Sequence, residues 1–221
     1  MSRAFLFDMD GVLVDNCHYH VLAWLEFAKR HGGTLTERQV IDWMGAPGRD
    51  YVARMFAVPP PPERVADLLA EKEAIYRELF RPHCIARDGL IDLLRLARAA
   101  DVPCAVATGG PLANVDFVLD ALGIRGFFAC IVDSSQYQRG KPAPDCYLRA
   151  AEKLAVAPRD CIVFEDAVNG IASAQAAGMR VVAITGTNDF ETLRRTGADW
   201  VVRSFTELRG GKIDLFASAR T

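Results

Sequence analysis

The stretch AFLFDMDGVLVDNCHYH, residues 4–20, decides how the chain reads. An apolar run, Ala4-Phe5-Leu6-Phe7, stops abruptly at Asp8-Met9-Asp10-Gly11. Four apolar residues bounded by polar ones suit a buried strand. Two carboxylates at its end repel each other unless something cationic sits between them. Taken alone, the Asp and Gly also fit an ordinary strand-ending turn. The rest of the chain has to decide between a turn and a site.

Outward from this stretch, β-type runs recur at Pro103–Thr108, Phe128–Val132, Cys161–Phe164, Arg180–Ile184 and Trp200–Val202. Helix-period segments lie between most of them. Leu112, Val115, Val118, Leu119 and Leu122 share one helical face, and Asp145–Leu154 and Val168–Ala177 behave alike. Strands alternating with helices imply an α/β fold with a parallel sheet covered on both faces. Ligands of such sheets sit at the carboxyl ends of the strands.

Residues 16–80 break the alternation, with no convincing strand. Asn16 can cap a first helix that His31-Gly32-Gly33 ends. Thr36 and Gln39 have capping-box spacing, and Pro47 can open a third helix. After the rigid run Pro59 to Glu63, ERVADLLAEKEAIYRELF is amphipathic at helical spacing and ends near Pro82. The expected division is a core of residues 1–15 and 83–221 with an all-helical insert at 16–82.

Bulk properties narrow the function. With 221 residues, 51% apolar and 24% charged, the chain suits one core domain with an insert. A formal net charge of −2 with scattered basic residues gives no case for nucleic acid. The six cysteines form no CxxC pair and no zinc-finger spacing, which suggests free thiols in a reducing compartment. No apolar run approaches membrane-spanning length and no signal peptide is evident, so a cytoplasmic protein is expected.

The chemistry-bearing residues follow the core strands. Asp8 and Asp10 follow the first. Thr108-Gly109-Gly110-Pro111 follows PCAVA, Gly140-Lys141-Pro142-Ala143-Pro144 ends the loop after ACIVD, and Glu165 and Asp166 follow CIVF. A parallel sheet brings all four groups to one edge. The four carboxylates suit a hard cation, and Mg²⁺ fits because it takes one or two carboxylates alongside water and phosphate oxygens. Thr108 and the N–H groups after it, at a helix start, suit a phosphate. Lys141 adds a positive charge for a transferring phosphoryl group.

In order and spacing, DMDGV, ATGG, GKPAPD and FEDAVNGIASAQAAGM resemble the four motifs of the haloacid dehalogenase superfamily. The similar branch contains β-phosphoglucomutase and small sugar-phosphate phosphatases. The resemblance implies a Rossmann-like doubly wound core with a helical cap inserted between the first and second motifs. It implies Asp8 as nucleophile and Asp10 as general acid and base, the latter arguing against dehalogenation. Mg²⁺ would be held by the Asp8 carboxylate, the Asp10 backbone carbonyl and the Asp166 carboxylate, with Glu165 assisting directly or from behind. Thr108, Gly109, Gly110 and Lys141 would hold phosphate.

For the cap, the resemblance makes His20 a group that faces the site and Arg49 a contact to sugar or phosphate, the plainer alternatives being a helix histidine and a helix-surface arginine. Trp24 and Trp43 read as cap core, with a place at the border of the sugar pocket as the alternative. The expected function is a Mg²⁺-dependent phosphoric monoester hydrolase. Its partner would be a small phosphate ester, a sugar or sugar alcohol phosphate, with no nucleic acid and no membrane. One cap closing over one core can work as a monomer, a homodimer being the alternative.

The runner-up is a β-phosphoglucomutase-type isomerase. The chain departs from the mutase pattern, with Met44 before Gly45 where the mutase has lysine, and Gly110-Pro111-Leu112 in place of Ser-Lys-Asn. Phosphonate cleavage lacks its expected cap lysine, since Lys29 and Lys72 lie elsewhere. A non-catalytic binding module has no need for both Asp8 and Asp10.

Overall fold

The structure, a computed structural model, describes residues 3–43, 48–56, 58–208 and 215. The chain divides into two compact units: Met1–Asp15 with Ile85–Thr221, and Asn16–Cys84. Among the described residues no helix is long and apolar enough to cross a membrane. All six cysteines are free thiols.

The second unit is helical. It comprises α1 (Cys17–Arg30), α2 (Glu37–Asp42), α3 (Gly48–Met55) and α4 (Pro62–Phe80). On α1 the residues Val21, Ala23, Trp24, Phe27 and Ala28 are buried, the stripe expected of one helical face. On α4 the matching stripe is Leu68, Lys72, Ile75, Tyr76 and Phe80. Thr36 and Gln39 form the expected capping box. Asn16 occupies the N-cap of α1, but its side chain does not cap it. Its Nδ2 donates to Tyr76 Oη at 2.6 Å instead, tying the start of α1 to α4. Helix α1 stops at Arg30, with Gly32 at φ +71. The expected helix start at Pro47 lies outside the described residues, as do Met44 and Gly45. A short 3₁₀ turn, Arg81–His83, follows α4, and His83 stacks on Tyr19 of α1 at 5.2 Å.

The first unit is a six-stranded sheet. Its strands are β1 (Ala4–Phe7), β2 (Cys104–Ala107), β3 (Phe128–Val132), β4 (Cys161–Glu165), β5 (Arg180–Ile184) and β6 (Trp200–Val202). The order is β3-β2-β1-β4-β5-β6, and every neighbouring pair is parallel. Helices α5 (Leu90–Ala99), α6 (Leu112–Leu122), α7 (Asp145–Leu154), α8 (Val168–Ala176) and α9 (Phe190–Arg194) belong to the same unit.

The central strands are buried along their whole length, as both covered faces require. One face is built of small residues. Ala4, Leu6, Ala105, Ala107, Val163 and Ala183 cluster with Ala150 and Ala151 of α7 and Ile171 and Ala174 of α8. The other face is aromatic, with Phe7 stacked on Phe164 at 4.5 Å and Phe5 edge-on to Phe164.

The order reverses direction at β1, whose neighbours are β2 and β4. In a doubly wound sheet that switch point opens a crevice at the strand carboxyl ends. Register fixes what faces it. Phe7 pairs with Phe164 and with Val106, so Asp8 lies beside Glu165 on one side and Ala107 on the other, with Thr108 next.

Candidate active site

Asp8 leaves β1 with its N–H still donating to Phe164 O at 3.0 Å, so the strand ladder holds its backbone. The residue is buried, 7% exposed. Its Oδ1 accepts from Lys141 Nζ at 2.6 Å. The turn after it is tight, with Leu13 N–H donating to Met9 O at 2.8 Å and Gly11 at φ +74. Glycine is required there on a second count. A Cβ on Gly11 would lie 1.9 Å from Asp166 Oδ2.

Lys141 bridges. The same ammonium lies 2.6 Å from Glu165 Oε1 and 4.8 Å above the Tyr147 ring. Tyr147, wholly buried on α7, donates its hydroxyl to that oxygen at 2.9 Å. The other Glu165 oxygen accepts the Asp166 and Ala167 N–H groups, each at 2.9 Å. Both Glu165 oxygens therefore hold two donors apiece. Glu165 anchors Lys141 and the loop after β4. A Cβ on Gly170, the third residue of α8, would sit 1.6 Å from Glu165 Oε1.

Asp166 is 2% exposed. Its Oδ2 accepts from Thr187 N–H at 2.8 Å, and Asn188 Nδ2 donates to its carbonyl at 3.1 Å. Asp8, Glu165 and Asp166 each place a carboxylate oxygen within 4.8 Å of the others. Lys141 bonds to two of the three, Asp8 and Glu165. Burial pushes the Asp8 carboxyl well up from the carboxylate range; Glu165 and Asp10 add to this and Lys141 opposes it. Burial, then Glu165, raises Asp166 to about 7. Burial disfavours the Lys141 ammonium, but Asp8 and Glu165 outweigh it and hold Lys141 above its usual value. A buried, all-oxygen, acid-rich donor set of this kind fits a hard divalent cation.

The phosphate side lies on the adjacent strand. Thr108 is 1% exposed, with its N–H on Val132 O at 3.0 Å. Its Oγ1 accepts from Gly110 N–H at 3.0 Å, and its carbonyl accepts from Tyr137 Oη at 3.1 Å. A Cβ on Gly110 would lie 3.5 Å from Thr108 Oγ1 and 3.8 Å from Asp10 Oδ2, so the Asp10 carboxylate reaches this loop. Gly109 is exposed. Pro111 is the N-cap of α6, at φ −73, ψ 155. With no N–H to offer the helix, proline is suited to that place.

The structure thus brings together Asp8, Asp10, Thr108, Gly110, Lys141, Glu165 and Asp166. Gly109 lies in the same loop, exposed, and His20, Trp24 and Arg49 lie in the helical unit. His20 Nδ1 is 2.8 Å from Lys72 Nζ, and its ring stacks on Tyr76 at 3.9 Å. Lys72, 3% exposed, also pairs with Glu73 at 2.9 Å and lies 5.2 Å over Trp24. Trp24 is 6% exposed and stacks on Tyr51 at 4.6 Å, so it packs in this unit's core. The Arg49 side chain is 76% exposed, 3.8 Å from Asp50. Sequence reasoning missed Tyr147, Thr187 and Tyr137, whose contacts span 18 to 29 residues of sequence. Gly170 carried the one legible signal, a glycine inside a helical pattern.

This assembly of an acidic cluster, a bridging lysine and a threonine-glycine loop at the switch point defines a phosphate-handling α/β hydrolase. The sequence pattern of the haloacid dehalogenase-like hydrolases matches residues 2–178, and the chain belongs to that family. Validoxylamine A 7'-phosphate phosphatase of Streptomyces hygroscopicus subsp. limoneus is 32% identical, covering 95% of this chain and 97% of its own. Hexitol phosphatase A of Escherichia coli is 33% identical over 93% of each. The solved β-phosphoglucomutase of Clostridium difficile superposes with a TM-score of 0.81 at 27% identity, covering 95% and 94%. Within the superfamily the likeness is to the β-phosphoglucomutase-like branch.

Proposed function

We propose that the protein is a Mg²⁺-dependent phosphatase that hydrolyses a sugar or sugar alcohol phosphate through an aspartyl-phosphate on Asp8. The observation that carries this reading is Asp8 itself. It is held at the switch point by the strand ladder, its Oδ1 is 2.6 Å from Lys141 Nζ, and Asp166 lies beside it.

The chain's residues divide the work. An Asp8 oxygen attacks phosphorus, and the P–O bond to the substrate breaks. Asp10 donates a proton to the leaving oxygen, then takes one from the water that attacks the same phosphorus. Phosphate leaves and Asp8 is restored. Lys141 neutralises charge on Asp8 and on phosphoryl oxygens, and Glu165 aims it. Thr108 and the Gly109 and Gly110 N–H groups orient the phosphate. Mg²⁺, held by the Asp8 and Asp166 carboxylates and the Asp10 carbonyl, would offset charge on the transferring group.

The names of the two relatives, a validoxylamine A 7'-phosphate phosphatase and a hexitol phosphatase, support a sugar or sugar alcohol phosphate as substrate, and hydrolysis over isomerisation. The helical unit is read as the cap that selects the substrate, through His20 and Arg49. Incubation with Mg²⁺ and a panel of hexose and hexitol phosphates tests the reading. Phosphate release from at least one member is expected. Bisphosphate-dependent interconversion of hexose phosphates without net release would replace it with the mutase.

A further inference from the structure

Arg87 stands in the first unit two residues after that unit's chain resumes, half-buried and outside all four motifs. Its backbone N–H donates to Leu13 O at 3.0 Å, and the preceding Ala86 forms an antiparallel bridge with Val14. The segment is therefore zipped to the turn that follows Asp8 and Asp10. Its guanidinium extends further. Nη1 donates to Gly11 O at 3.1 Å, while Nη2 donates to Thr185 O at 2.5 Å and to Arg203 O at 3.4 Å. One planar fork thus holds carbonyls from the loops after β1, β5 and β6.

Two of those loops form the walls around one carboxylate. A Cβ on Gly11 would lie 1.9 Å from Asp166 Oδ2. A Cβ on Gly186 would lie 3.0 Å from that same oxygen, 3.0 Å from Gly11 O and 3.2 Å from Arg87 Nη1. Thr187, next in line, gives its N–H to Asp166 Oδ2. Asp166 therefore stands between the Gly11 backbone and the Gly186–Thr187 backbone. Arg87 grips both sides, at Gly11 O and at Thr185 O.

We propose that Arg87 is a positioning residue for the cation site: by clamping the Gly11 and Thr185 carbonyls it sets where the Asp166 carboxylate stands relative to Asp8. The inference rests on the metal reading given above. The bonds go to three carbonyl oxygens, so the effect is geometric. Mg²⁺ is the ion most sensitive to such a clamp, because it demands near-octahedral ligands at about 2.0–2.1 Å, whereas Ca²⁺ accepts about 2.3–2.6 Å and flexible geometry. Loss of partners that orient a ligand typically weakens metal binding about 10–100-fold.

The test is titration calorimetry of the purified full chain with Mg²⁺ and, separately, with Ca²⁺, for wild type, Arg87→Met and Arg87→Lys. Circular dichroism checks folding. In Arg87→Met the Mg²⁺ dissociation constant is expected to rise about tenfold or more, with a smaller rise for Ca²⁺. Arg87→Lys keeps the charge but cannot fork onto two carbonyls, and falls between. If Arg87→Met does not fold, Arg87→Lys decides by the same criterion. Unchanged Mg²⁺ affinity in a folded variant, or equal weakening of both ions, overturns the proposal alone. Absence of Mg²⁺ binding to the wild type overturns the metal reading and this inference with it.

Discussion

Lys141 Nζ lies 2.6 Å from Asp8 Oδ1, across 133 residues of sequence. The same ammonium lies 2.6 Å from Glu165, so it compensates two buried carboxylates at once. Removing a preorganised charge aimed at the transferring group typically costs about 10²–10³ in rate. Lys141→Met is expected to lower kcat by that order, measured as phosphate release under saturating Mg²⁺. A loss below about threefold would remove Lys141 from the chemistry, on the same scale.

The raised Asp166 value sets a pH dependence. Its carboxyl is held to about 7 in the metal-free fold, against an ordinary value near 3.8. Between those values the folded state binds the proton more tightly than the unfolded chain does. The contribution of Asp166 to metal-free stability therefore falls as pH rises through that window and is lost above about 7. A cation must displace the proton below that pH and need not above it. The Mg²⁺-induced rise in Tm is thus expected to be larger at pH 8 than at pH 6. A larger rise at pH 6 would contradict the assignment of Asp166 to the cation.

Gly170 offers a stability test of the Glu165 anchor. In an ordinary helix interior Gly→Ala stabilises by about 1 kcal/mol. Here the added methyl would lie 1.6 Å from Glu165 Oε1 and displace it from Lys141 and Tyr147. Gly170→Ala is expected to destabilise by about 1–3 kcal/mol in denaturant titration, the usual cost of overpacking. The variant should also lose phosphatase activity. A stabilised, fully active variant would mean that Glu165 does not hold this position.

The central strands were legible because they are buried on both faces and so read as short, uninterrupted apolar runs. β1, β3, β5 and β6 begin and end where those runs do. β2 is shorter than PCAVAT suggests by one residue at each end, and at the first of these Pro103 has no N–H for the ladder. β4 is longer by Glu165, whose backbone still pairs with Ala183 although its side chain serves the site. The motif carboxylates and Lys141 were legible from their places after successive strands. Tyr147, Thr187 and Arg87 were not, because each acts through a contact between distant segments that no local pattern encodes. Asn16 shows the limit in miniature. Local chemistry gives its position at the N-cap, but Tyr76, 60 residues away, takes its side chain.

The central claim is that Asp8 bonds to phosphorus. Its most direct test is to quench the enzyme during steady-state turnover, reduce with borohydride and map the modified residue by mass spectrometry. Borohydride converts an aspartyl-phosphate to homoserine. Homoserine at position 8, dependent on both substrate and Mg²⁺ and absent from Asp8→Asn, is the expected result. A turning-over enzyme with Asp8 unmodified and another residue reduced, or an Asp8→Asn variant with wild-type phosphate release, would contradict the account.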